Sequence, residues 1–241
     1  MAPCLAILKA RKLVGDGTAV FYLEKPVNFE FKAGQFANFT LLDATQQTDA
    51  KGNTRTLSFA SAPHEKYLMV AMRLRDTAFK QVFSELPIGT RVLVSGPYGN
   101  LTLHGNAARP AVLIAGGIGI TPFRSMIWQA TQARIAHKMF LFYSVRKPEE
   151  AAFLDEVQGM EELNPRFKCI ATVTRPDERK NGWHGEMGHI TQEMLEKWIG
   201  DLKSPIFYIA GPPAMVSGVR LLLSSAGVDD DDIRAEGFIG Y

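Results

Sequence analysis

The chain has 241 residues, 46% of them hydrophobic and 22% charged, and carries a net charge of +2 at pH 7. That is the composition of a globular protein with a core of its own. So small a charge, without any dense run of Lys and Arg, argues against nucleic acid as a partner.

In chain order, residues 1 to about 106 read as short β-segments at 5–14, 18–23, 35–42, 56–60, 67–73 and 91–95. Turn residues such as Gly15, Asp16 and Gly17, then Ala33 and Gly34, then Pro63, stand between them. Spacing of this kind predicts an antiparallel β-barrel. One helical signal, 78–86, ends at Pro87 and Gly89. The texture changes near 106–109, which divides the chain into domains 1–107 and 108–241. From Ala111 onward strands (111–115, 138–144, 167–173, 206–210, 233–236) alternate with helices (122–134, 149–163, 191–198, 213–226). This is the pattern of an α/β doubly wound parallel sheet, whose ligand crevice lies beyond the C-terminal strand ends. The acidic run Asp229 to Asp232 reads as a solvated loop, and the three tryptophans as packing residues.

The stretch AVLIAGGIGITPFRSM (111–126) organises the second half. A buried strand runs into a turn with Gly116, Gly117 and Gly119. Thr121 then suits an N-cap and Pro122 the first helical position. Absent side chains, free N–H groups and a positive helix end together make an anion site, so the stretch reads as a nucleotide-phosphate loop. The spacing is GGxGxxP, not the dinucleotide fingerprint GxGxxG, and a tight structural turn is the alternative. In the barrel, Arg55 and Ser58 stand three apart on alternating sides of a strand, able to serve a diphosphate and a ring; a solvated Arg on an ordinary strand fits equally well.

Cys4 and Cys169 stand alone, with no histidine at ligand spacing, so no metal site and no cluster of about four ligands is expected. The start, MAPCLAILKARK, puts Lys9, Arg11 and Lys12 after its apolar residues, unlike a signal peptide. No run reaches the ~18 apolar residues of a membrane span, and the expected location is the cytoplasm.

RTLSFAS (55–61), RDTAFKQVFSELPIGTRVLVSGPYGN (75–100), AGGIGITPFRSM (115–126), YIAGPPAM (208–215) and EGFIGY (236–241) follow one another as in the ferredoxin–NADP reductase-like flavoproteins. From residue 31 to the end the chain resembles that family. The resemblance implies an FAD-binding barrel followed by an NAD(P)-binding domain, with hydride passing from nicotinamide to flavin and electrons leaving singly. Within Arg55-Thr56-Leu57-Ser58 it puts Arg55 on the flavin diphosphate and Ser58, the candidate catalytic residue, near the flavin N5. Leu57 replaces the tyrosine that covers the ring in the family. The family's GxxS diphosphate turn falls on Thr77-Ala78-Phe79-Lys80, where neither Gly nor Ser is kept, and Val70 and Met72 match cofactor-lining positions; barrel core is their alternative. Gly116, Gly117, Gly119, Thr121 and Pro122 match the nicotinamide diphosphate loop. Gly211, Pro212, Pro213 and Met215 match a second strand-end motif in which Ala210 replaces a cysteine. Phe238 or Tyr241 matches the terminal aromatic over the flavin.

An NAD site tends to place a carboxylate on the ribose after the second strand, whereas a 2′-phosphate calls for Arg. Here the second and third strands end in Arg146 and in Thr174-Arg175, with no acid at either end, which favours NADPH over NADH. The expected acceptor is a separate ferredoxin, flavodoxin or oxygenase component. The alternatives are a reductase of free flavin, quinone or another small acceptor, and a non-catalytic subunit with vestigial sites.

Overall fold

The structure, a computed structural model, describes residues 2–42, 52–74, 77–175 and 183–238. Its first half comprises β1 (Cys4–Gly15), β2 (Thr18–Glu24), β3 (Phe36–Leu41), β4 (Thr54–Ser58), β5 (Tyr67–Arg73), α1 (Ala78–Glu85) and β6 (Arg91–Tyr98). The strands form one antiparallel sheet in the order β4-β3-β6-β1-β2-β5. Its two edges meet: Phe59, just past β4, bridges Val70 of β5, and the Ala60 N–H donates to the Met69 carbonyl at 2.7 Å. That closure makes the expected barrel. Leu8, Phe21, Leu23, Phe39 and Phe59 fill the interior without exposure. Each such side chain contributes on the order of 2 kcal/mol by leaving water. Helix α1 lays Phe79 and Phe83 over one end, Phe83 edge-on to Phe21 with centroids 4.8 Å apart.

The second half comprises β7 (Ala111–Gly116), α2 (Ile120–Gln132), β8 (Met139–Val145), α3 (Leu154–Leu163), β9 (Phe167–Val173), β10 (Glu186–Met187), α4 (Gln192–Ile199), β11 (Ile206–Gly211), α5 (Pro213–Ser225) and β12 (Ile233–Gly237). All six strands are parallel, in the order β10-β9-β8-β7-β11-β12. The α2 and α3 face of this sheet shares one core with the barrel residues Val20, Ala60, Met69 and Ala71, while α4 and α5 cover the other face. Among the described residues no helix is long and apolar enough to cross a membrane.

Two helix starts differ from expectation. The expected helix from 149 begins at Leu154, because the preceding loop is fastened to the barrel: Asp16 N–H donates to Glu149 O at 2.7 Å and Phe153 N–H to Val14 O at 3.4 Å. Phe153 consequently has φ +61. The two-residue β10 was not anticipated, as it is too short to show a period.

Candidate active site

Strands β7 and β11 are neighbours, yet their following helices pack on opposite faces, so the chain diverges at Gly116 and Gly211. Such a switch point opens a crevice between the two loops. A Cβ on Gly119 would overlap the Ala210 carbonyl, so glycine is required there by packing alone. Gly117 is different: its φ is +52 and a Cβ would meet nothing within 4 Å. The turn is therefore tight at Gly119 and open at Gly117, where an anion can reach the backbone. Thr121 and Pro122 do not begin the helix as expected. A 3-10 turn over Gly117–Gly119 runs straight into α2 at Ile120, and the Thr121 hydroxyl donates to Ile118 O at 3.1 Å instead of capping an N–H.

On β11 the exposed Pro212 and Pro213 open α5, and Met215 lies against Gly116. Phe238 is half-buried; its N–H donates to Gly211 O at 2.8 Å and its ring packs on the core shared with the barrel. Tyr241, the other terminal aromatic, lies outside the described residues. Arg146 and Arg175 end adjacent strands and are both exposed, with the Arg175 N–H on Arg146 O at 2.9 Å. Thr174 N–H donates to Val145 O at 2.9 Å, completing the same edge.

On the barrel side, Ser58 ends β4 and is 8% exposed. It pairs with Phe36, which pairs in turn with Tyr98, the two rings 6.1 Å apart. Arg55 donates to Gly52 O at 2.9 Å and Thr54 O at 2.8 Å, with its guanidinium 4.8 Å over the Phe79 ring. The pleat puts Thr56 outward, its hydroxyl donating to Asn38 at 2.7 Å, and turns Leu57 inward. Leu57, Val70 and Met72 pack in the barrel core, which is the alternative given for Val70 and Met72; these two have no exposed surface.

Thr77 occupies the N-cap of α1 without making a capping bond, and its hydroxyl oxygen is buried with no partner among the described residues. An unmet buried hydroxyl costs about 1–3 kcal/mol. An anion at this helix start, between Ala78, the buried Phe79 and the buried Lys80, would supply the missing acceptor. The site thus fits a phosphate without the Gly and Ser of the usual turn.

Glu236 had no role assigned from sequence. It sits on β12, half-buried, with no hydrogen-bond or ion-pair partner among the described residues, and burial pushes its carboxyl up to about 7. It faces the Gly99 backbone, which itself lies against Phe36, and lines a cavity of about 450 Å³ with Asn100, Leu101 and Arg234. The available signal was an acid at a strand end, two residues before the aromatic. Among the described residues no three His, Cys, Asp or Glu side chains gather as a metal site.

The described residues thus join a closed antiparallel barrel to a parallel sheet with an open glycine turn at its switch point. Residues 113–221 match the oxidoreductase NAD-binding domain family. The chain is 27% identical over 224 residues to the reductase component of the glycine betaine monooxygenase of Chromohalobacter salexigens, covering 92% of this chain and 60% of that one. It is 28% identical over 223 residues to a component of the Na(+)-translocating NADH-quinone reductase of Idiomarina loihiensis, covering 86% and 54%. The chain thus spans between half and two thirds of the length of these relatives. A ferredoxin NADP+ reductase from Neisseria gonorrhoeae, solved with FAD and NADP, superposes with a TM-score of 0.80 at 23% identity, covering 98% of this chain and 99% of that one. The fold is thus that of the ferredoxin–NADP reductase-like flavoproteins, and residues 113–221 carry the oxidoreductase NAD-binding domain.

Proposed function

We propose that residues 1–107 hold FAD, that residues 108–241 hold NADPH in preference to NADH, and that hydride taken from the nicotinamide leaves as single electrons to a separate redox protein. The observation that carries this is a pair of phosphate-ready sites, one in each half: the open turn at Gly117 and the α1 start, where the Thr77 hydroxyl has no partner among the described residues. Bound FAD supplies hydride acceptance and one-electron release; the protein supplies placement.

Gly116, Gly117 and Gly119, with the α2 start, take the nicotinamide diphosphate, and Pro212, Pro213, Met215 and Phe238 form the facing wall. Arg146 and Arg175 read the 2′-phosphate, which a planar guanidinium binds well. Arg55, Thr77 and Lys80 hold the flavin diphosphate. The Ser58 hydroxyl offers the hydrogen bond at the reacting edge, and Glu236, titrating near neutrality, can hold or release a proton beside it.

The acceptor we favour is a ferredoxin, flavodoxin or oxygenase component in the cytoplasm, a choice supported by relatives that are named reductase components. Stopped-flow mixing of the NADPH-reduced protein with such acceptors, beside free flavin and quinone, tests this reading. Faster oxidation by a protein acceptor is expected. Preference for the small acceptors would overturn it.

A further inference from the structure

Helix α2 carries Arg124 one turn beyond the nicotinamide loop, and its side chain is only 3% exposed. The guanidinium leaves its own domain to reach the barrel. Nη1 donates to the Ala60 carbonyl at 2.7 Å and to Glu65 Oε2 at 2.8 Å, and Nη2 to Glu65 Oε1 at 3.2 Å. Nε donates to Glu156 Oε2 at 3.1 Å, and Nη2 also pairs with the other oxygen of Glu156, on α3. Glu65 Oε2 in turn accepts the Ala62 N–H at 2.6 Å, and the next residue on the helix, Ser125, donates to Ser61 O at 2.6 Å. Every contact on the barrel side falls between Ala60 and Glu65, within seven residues of Ser58.

A buried guanidinium with both carboxylates bidentate has one low-energy geometry, unlike a lysine point charge. We propose that Arg124 is a positioning residue for hydride transfer: it locks the α2 start, which takes the nicotinamide diphosphate, to the segment following Ser58, which borders the flavin. This rests on the functional reading above. Reacting atoms held about 1 Å out of place can lose about 100-fold in rate while both ligands still bind.

The test compares Arg124→Met with Arg73→Met. Arg73 also spans the two halves, but it pairs with Glu150 and with neither Glu65 nor Glu156. The readouts, on FAD-loaded protein, are the Kd for NADP+, the long-wavelength charge-transfer absorbance on adding NADP+, and the anaerobic rate of flavin bleaching by NADPH. For R124M the expected result is a Kd within about threefold of wild type, loss of the charge-transfer band and a bleaching rate down about 100-fold. R73M should keep the band and the rate even where its melting temperature falls as much. Glu65→Gln, which keeps the volume and weakens the clamp, should lose part of the band if R124M does not fold. A full band and wild-type rate in R124M or, where that does not fold, in E65Q, or an equal loss in R73M, overturns the proposal. A wild-type protein that takes up no FAD overturns the functional reading itself, and is seen before any variant is compared.

Discussion

The two phosphate-ready sites are built from different materials. On the proposed nicotinamide side the site is backbone: an open Gly117, a Gly119 pressed on Ala210, and a helix start. On the proposed flavin side it is side chain: Arg55 resting on Phe79, Thr77 with its hydroxyl unmet among the described residues, Lys80 buried on α1. A backbone site tolerates little, because any side chain at Gly117 brings strain. A side-chain site can be rebuilt from other residues, and the proposed site at Thr77 and Lys80, without the usual Gly and Ser, would be such a rebuilding.

The largest effect should fall on the backbone site. Gly117→Val forces a β-branched residue to φ +52 and fills the open side of the turn; we expect the Kd for NADPH to rise about 100-fold while FAD content stays constant, checked by titration of flavin fluorescence. Arg55→Leu attacks the side-chain site. FAD should dissociate about 30-fold more readily, measured by ultrafiltration of the yellow protein, from loss of a charge-assisted contact to phosphate. An effect on FAD as small as that of a surface substitution would place the diphosphate elsewhere.

Smaller changes sharpen the contrast. Removing Arg146 and Arg175 together should lower kcat/KM for NADPH about tenfold and leave that for NADH unchanged. Thr77→Val removes a buried hydroxyl without a partner, so it should stabilise the FAD-free protein and weaken FAD binding about fivefold, two opposite signs from one substitution. A merely destabilising effect in both forms would contradict the role given to that hydroxyl.

Two pH limbs give the smallest effects. Burial holds Glu236 protonated where the unfolded chain would ionise it, so the stability it confers is lost as pH rises from 4.5 through about 7. His104 and His137, packed edge to face with centroids 4.6 Å apart, are lowered from 6.5 by burial, and both His137 ring nitrogens lack a partner among the described residues. Their contribution is present above 6.5 and lost as pH falls. Thermal melts should therefore show Glu236→Gln gaining a few degrees near pH 8 and little near pH 5, and His137→Leu the reverse.

The same contrast explains what was legible in the sequence. The barrel and the parallel sheet were both anticipated, because strand alternation and glycine punctuation are local signals. The glycine turn was visible for the same reason, since close approach requires glycine whatever lies around it. The direction of Leu57, Val70 and Met72 was not, because it depends on how β4 and β5 close the barrel through Phe59 and Val70, a tertiary event. The start of α2 was misplaced because a 3-10 turn hands its hydrogen bonds on to the helix, which no propensity marks. Glu236 is a surface acid in the sequence; only the Gly99 backbone and the cavity behind it give it a raised titration.

The central claim, hydride from a nicotinamide bound at the Gly117 turn to a flavin bound at the barrel, meets its most direct test in one spectrum. Purified protein, reconstituted with FAD and held without oxygen, should be yellow, and NADPH should bleach it faster than NADH does. A colourless protein after reconstitution, or a yellow one bleached by neither nucleotide, would contradict the account.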